Sequence, residues 1–249
     1  MSIFSPLEQF NIVSIIPLGI GNFDISFTNS SVIALIVTSV LVCLMSFVTF
    51  KSTLVPTRWQ SVVEILYEFV LSLLVENIGE KGVKYFPIMF TTFMFIFSCN
   101  IIGMIPYSFT ITSHLVVTFG LAMSLFLGIN IIGVRTHGFH FLSLFLPAGA
   151  PLAMSPFLVL IELVSYFFRV ISLAVRLFAN MMAGHTLLKI LAGFAWTMIS
   201  VGGILYIVHL VPLLVIFAIV GLEFAIAFLQ AYVFTVLSCI YLNDAINLH

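Results

Sequence analysis

The sequence predicts an all-α polytopic membrane protein: one N-terminal span, an amphipathic surface helix, two further spans, and a long, steeply tilted antiparallel helix hairpin. Three observations carry this reading. Of the 249 residues, 62% are hydrophobic and only 7% are charged, against roughly a quarter charged in soluble domains. The apolar residues gather in runs long enough to cross a hydrocarbon core of about 30 Å. The last two runs are each nearly twice as long as one crossing needs. A net charge of −1 without a basic tail argues against nucleic acid as a partner.

Residues 1–30 read as an N-terminal segment whose first four residues are a candidate short leader. Asn29-Ser30-Ser31 reads as a polar turn ahead of a helix. The first transmembrane helix is expected over 31–50, uncharged from Val32 to Phe50 and closed by Lys51. Over 54–80 the pattern changes. Trp59, Val62, Val63, Leu66, Phe69, Val70, Leu73 and Leu74 recur at helical spacing, while Arg58, Glu64, Glu68 and Glu76 mark another face. That is an amphipathic helix of the membrane surface. Two spans fill 85–135: Phe86 to Ile105, with Asn100 and Pro106 near its end, and His114 to Val134, closed by Arg135. Residues 136–155 form a loop holding His137, His140 and Pro147-Ala-Gly-Ala-Pro151.

The remainder, 156–249, is read as the hairpin. Pro156 to Gly193 and Gly203 to Asn243 are apolar stretches of on the order of 55–60 Å each as helices. They must tilt or kink, and Pro212 and Gly221 offer kink sites in the second. Cys43, Cys99 and Cys239 each lie inside an apolar run and read as structural thiols. His137 and His140 have no third ligand nearby, so no metal is expected. With no phosphate-binding loop in the sequence, no cofactor is expected either, and any nucleotide chemistry belongs to other chains.

Function is sought in the charges inside the hairpin. Arg176 sits among apolar residues; its guanidinium does not lose its proton and costs about 2.5–3.5 kcal/mol at a helix centre in the bilayer. Glu162, Tyr166, Arg169, Arg176 and Asn180 fall within roughly 80° of one another on a helix. His185 lies on the opposite side. His209, Glu223, Gln230, Tyr241 and Asp244 fall within about 100° on the second helix. An antiparallel fold with its turn near Gly202-Gly203 sets Glu162 against Asp244, Arg176 against Gln230, and His185 against Glu223. The first layer is a carboxylate pair, in which mutual repulsion holds a proton. The last combines the two side chains suited to proton relay near neutral pH. Arg176 separates these half-paths as a fixed positive charge and invites a carboxylate from a partner. Arg169 reads as structural, snorkelling or paired with Glu162.

Ile171-Ser-Leu-Ala-Val-Arg-Leu-Phe-Ala-Asn-Met-Met-Ala-Gly-His185 resembles the signature of subunit a of F-type ATP synthases. Tyr85-Phe-Pro-Ile-Met-Phe, Met104-Ile-Pro-Tyr-Ser-Phe, Phe145-Leu-Pro-Ala-Gly, Ile161-Glu-Leu-Val-Ser-Tyr, Leu222-Glu-Phe-Ala-Ile and Gln230-Ala-Tyr-Val agree. The resemblance spans about residues 55 to 249, and Ser5-Pro-Leu-Glu-Gln-Phe looks like the mature start of fungal mitochondrial members. It implies a non-catalytic stator subunit of the Fo sector in the mitochondrial inner membrane, working with protons, channel water and lipid. Its implied partners are a ring of c subunits and the other Fo and peripheral-stalk subunits. Arg176 then matches the arginine facing the ring, with Asn180 and Gln230 as polar neighbours. His185 and Glu223 match the half-channel of the intermembrane-space side, and Glu162, Tyr166 and Asp244 that of the matrix side. A self-contained channel or transporter would need gating and repeated halves, and the sequence shows neither.

Overall fold

The computed structural model describes residues 6–20, 23–24, 26–50, 53, 55–105, 108–138, 140–141, 155–203 and 205–247. The candidate leader, Lys51, Pro106 and the proline-rich part of the 136–155 loop lie outside these. Among the described residues seven α-helices follow one another: α1 (Asn29–Phe50), α2 (Arg58–Ile78), α3 (Phe86–Gly103), α4 (Leu115–His137), α5 (Ser155–Val201), α6 (Leu205–Val208) and α7 (Leu210–Ile246). Among the described residues, five helices are long and apolar enough to cross a membrane: α1, α3 with the turn before it, α4, α5 and α7. The all-α membrane fold stands.

The N-terminal segment adds what the sequence pattern did not announce. Strand β1 (Ser14–Ile16) pairs antiparallel with β4 (Phe27–Thr28), and β2 (Gly19–Ile20) with β3 (Phe23–Asp24). Strands of two or three residues are too short to display an alternating pattern. The polar turn at 29–31 ties this ribbon to α1. Asn29 Oδ1 accepts from Val13 N at 3.3 Å and Ser30 N at 2.9 Å, and Ser31 Oγ accepts from Thr28 N at 3.0 Å. One of these, Ser30 N, is an amide that the helix start leaves open; the other two belong to the ribbon.

α1 buries only Val37, against Cys99 of α3 and Ile111. α2 packs its apolar face inward through Val70, Leu73, Leu74 and Ile78 and leaves Glu64, Glu68 and Glu76 exposed. Phe69 meets Phe93 of α3 at 5.8 Å and Phe228 and Tyr232 of α7 at 5.9 Å each, with the rings tilted. α3 starts with Pro87 in its first turn, where a missing amide proton costs nothing. α4 ends with Arg135 and His137 in its last turn, facing the carbonyl end of the helix dipole.

The hairpin closes at Gly202 and Gly203, with φ of 75° and 68°. Two successive left-handed residues reverse the chain, and a Cβ there would cost about 1–2 kcal/mol each. α5 has 47 residues and α7 has 37, or about 70 and 55 Å. Pro212 lies in the first turn of α7, so it begins the helix rather than kinking it. The helix then continues unbroken through Gly221. Although last in the chain, α7 is central in space, packing against α2, α3, α4 and α5. Phe93, Phe234, Leu74, Met89, Ile96, Leu177 and Leu242 fill the core around it.

Candidate functional site

The polar residues lie along the seam between α5 and α7. The buried residues of α5, Tyr166, Val170, Leu173, Ala174, Leu177, Met181 and Ala195, centre roughly 110° around the helix from Arg176. Arg176 therefore stands off the seam and is exposed. Among the described residues, both ion pairs belong to Arg169, and no carboxylate pairs with Arg176. Ser172, Ala179 and Ala183 flank it on the same face, all exposed. Such small residues let another helix approach closely.

The expected layer of Arg176 with Gln230 is corrected by this geometry. Asn180, one turn on and nearer the seam, reaches across instead, and its Nδ2 donates to Gln230 Oε1 at 3.0 Å. Gln230 is buried, and its Nε2 has no hydrogen-bond partner among the described residues.

His185 and Glu223 share a level but no hydrogen bond. Gly184 occupies the seam there, and a Cβ placed on it would run into the Glu223 carboxyl. His185 is turned about 100° further around α5. Glu223 is 9% exposed. Its Oε1 and His185 Nε2 are buried and unpartnered among the described residues. Neither atom is held by an internal hydrogen bond that a proton transfer would have to break.

On the other side of Arg176 the carboxylate pair is a triad. Arg169 Nη2 lies 3.4 Å from Glu162 Oε1, and Arg169 Nη1 lies 3.5 Å from Asp244 Oδ2. A guanidinium sits between the two carboxylates and offsets the mutual repulsion expected of the pair. Tyr166 is buried, its hydroxyl donating to Asn130 Oδ1 at 2.9 Å. Asn130 Nδ2 in turn donates to Phe126 O at 2.8 Å. His137, read from sequence as a loop histidine, closes α4 and meets Ile246 O through Nε2 at 2.8 Å. Among the described residues, no three His, Cys, Asp or Glu side chains gather as a metal site.

Three residues of the site escape the pattern of charges. Asn100, fully buried on α3, donates from Nδ2 to Ala227 O at 3.2 Å, between the levels of Glu223 and Gln230. Asn130 orients Tyr166, and Gly184 admits Glu223. The two asparagines were findable as polar residues in apolar spans. The glycine carries only the weak signal of a residue that costs about 1 kcal/mol inside a helix.

Residues 31–243 match the protein family described as ATP synthase A chain. A Marchantia polymorpha protein, "ATP synthase subunit a", is 59% identical over 249 residues, covering 98% of this chain and 99% of that one. The Chondrus crispus protein of the same name is 56% identical, covering 99% and 98%. That of Oenothera berteroana is 56% identical, covering 100% and 91%. These relatives are from plants and a red alga, and they lend no support to the fungal affiliation expected from the opening residues. The family and the spans agree with the resemblance of the Arg176 segment: the chain is a multi-pass membrane protein belonging to the ATP synthase A chain family, the proton-translocating stator subunits of the Fo sector.

Proposed function

We propose that Arg176 is the charge barrier between two proton half-paths and that it faces a ring of c subunits carrying carboxylates. The observation that carries this reading is an arginine in the middle of an apolar helix, pointing outward and without an ion-pair partner among the described residues. Intramembrane arginines ordinarily face a bundle interior or a water-filled cavity. One that faces outward needs its counter-charge from another subunit. The small residues Ser172, Ala179 and Ala183 beside it suit a helix that slides past.

The mechanism follows from charge. A proton enters past Glu223 and His185 and neutralises a ring carboxylate. The neutral carboxyl can travel through lipid, where its anion could not. After nearly a full turn it gives the proton up toward Glu162, Tyr166 and Asp244. The resulting anion then passes Arg176, which cannot relay the proton back because its guanidinium stays protonated. By helical rise, Arg176 is about 21 Å from Glu162 and 13.5 Å from His185, so each half-path reaches partway through the bilayer. Asn180 and Gln230 hold the seam beside the arginine. A membrane potential supplies about 2.3 kcal/mol per charge per 100 mV.

The same reading places the chain in the mitochondrial inner membrane, with the other Fo and peripheral-stalk subunits, Glu223 toward the intermembrane space and Glu162 toward the matrix. Fungal origin rests on Ser5-Pro-Leu-Glu-Gln-Phe alone, and the mechanism does not depend on it. The test is ATP-driven proton pumping in membranes carrying Arg176→Ala, with assembly followed by native electrophoresis. An assembled complex that fails to pump and leaks protons is the expected result. Normal pumping would end this reading.

A further inference from the structure

Arg169 is engaged on three sides. Besides Glu162 and Asp244, its guanidinium carbon lies 5.6 Å from the centre of the Tyr241 ring. Its two carboxylate partners come from different helices and use different arms of the guanidinium, Nη2 for α5 and Nη1 for α7. The position of Asp244 explains why a cation is required there. It stands in the last turn of α7, where the negative end of the helix dipole makes a carboxylate unfavourable, and α7 has no basic residue in that turn. Arg169 supplies that charge from the neighbouring helix.

The groups around it are Glu162 and Tyr166 on α5 and Tyr241 and Asp244 on α7. On α4 they are Asn130, bonded to Tyr166, and His137, bonded to the Ile246 carbonyl. Arg176 is two helical turns away, about 10.5 Å along α5.

We propose that Arg169 is a positioning residue for proton release: one guanidinium fork locks Glu162 to Asp244 and keeps both carboxylates available as acceptors for the proton leaving the rotor. This rests on the assignment of Glu162 and Asp244 to the matrix half-path. The proton passes from a ring carboxyl to one of these carboxylates and then to matrix water. Arg169 neither gains nor loses a proton, since its guanidinium stays charged throughout. Without the fork, two carboxylates and the end of a helix are left facing each other, and one oxygen retains a proton into the working pH range. The acceptor is then filled when the rotor arrives.

The test uses the whole complex reconstituted in vesicles, with the pH of each face set independently. Arg169→Gln should slow ATP synthesis several-fold and move the matrix-side pH profile to the alkaline side, leaving the opposite-side profile in place. The side chains of the triad are 34–39% exposed, and screening by water limits the move to about one pH unit. Arg169→Lys, which restores the charge but not the two-armed fork, should recover the profile and part of the rate. Removing one of the repelling carboxylates in Arg169→Gln/Asp244→Asn should also bring the profile back.

A wild-type profile in Arg169→Gln overturns the proposal, as does a shift that persists in the double variant. If Arg169→Gln does not assemble, the lysine and double variants carry the same comparison, and a profile displaced equally in both overturns it. A shift on the opposite face instead would overturn the matrix assignment while leaving the coupling of Arg169 to its carboxylates intact.

Discussion

Gly184→Ala adds a single carbon at the α5–α7 seam, and the geometry fixes where that carbon goes. A Cβ there would occupy the place of the Glu223 carboxyl. An alanine in an open helix position would stabilise by about 1 kcal/mol over glycine. Forcing a methyl group into a packed seam costs about 1–3 kcal/mol, so assembly should survive with a small net loss. Activity is more sensitive, because a displacement of about 1 Å in a reacting group can cost on the order of a hundredfold in rate. ATP-driven pumping in membranes carrying Gly184→Ala should therefore fall far more than the amount of assembled complex. Gly193→Ala is the control: it lies on the same helix with nothing near its added Cβ, and it should pump normally. Glu223→Asp shortens the acid by one methylene, so Gly184→Ala/Glu223→Asp should recover part of the lost rate. Wild-type pumping by assembled Gly184→Ala would show that the carboxyl has room to spare and would refute the reasoning.

Two further outcomes are expected. Asn180→Leu removes the 3.0 Å bond to Gln230 and leaves that buried amide unsatisfied, costing about 1–3 kcal/mol. Measured by thermal dissociation of the complex, Asn180→Leu/Gln230→Leu should cost less than the two single changes together. At the hairpin turn, Gly202→Ala or Gly203→Ala places a side chain on a residue with φ of 75° or 68°, costing about 1–2 kcal/mol. Either should lower the melting temperature without altering the pH profile of pumping.

The hairpin was legible in the sequence because charge is so sparse there. A polar side chain in an apolar helix must be answered by something, so few pairings are sensible, and Gly202-Gly203 fixed the midpoint. What hydrophobic periodicity cannot resolve is a rotation of some tens of degrees. Arg176 and Asn180 share a face by arithmetic, yet only Asn180 reaches Gln230, because the seam lies on its side of the arginine. Of the two structural readings of Arg169, snorkelling or pairing with Glu162, the contact with Glu162 exists. Its second arm, to Asp244, depends on how far one helix end reaches past the other, which no spacing along one chain encodes. Gly184 matters through volume alone and adds no charge or periodicity. The short N-terminal strands lacked the length to declare themselves.

The central position of α7 has a consequence for how the chain comes into being. Synthesis proceeds from the N-terminus, and the helix around which the others pack is made after them. Several polar contacts of the earlier helices wait for it: Asn100 for the carbonyl of Ala227, His137 for that of Ile246, Asn180 for Gln230, and Arg169 for Asp244. Until then those side chains sit in or beside the bilayer without these partners. A chain that stops before residue 210 therefore lacks the partner of each of these four contacts. All four close only once α7 takes its place among α2, α3, α4 and α5.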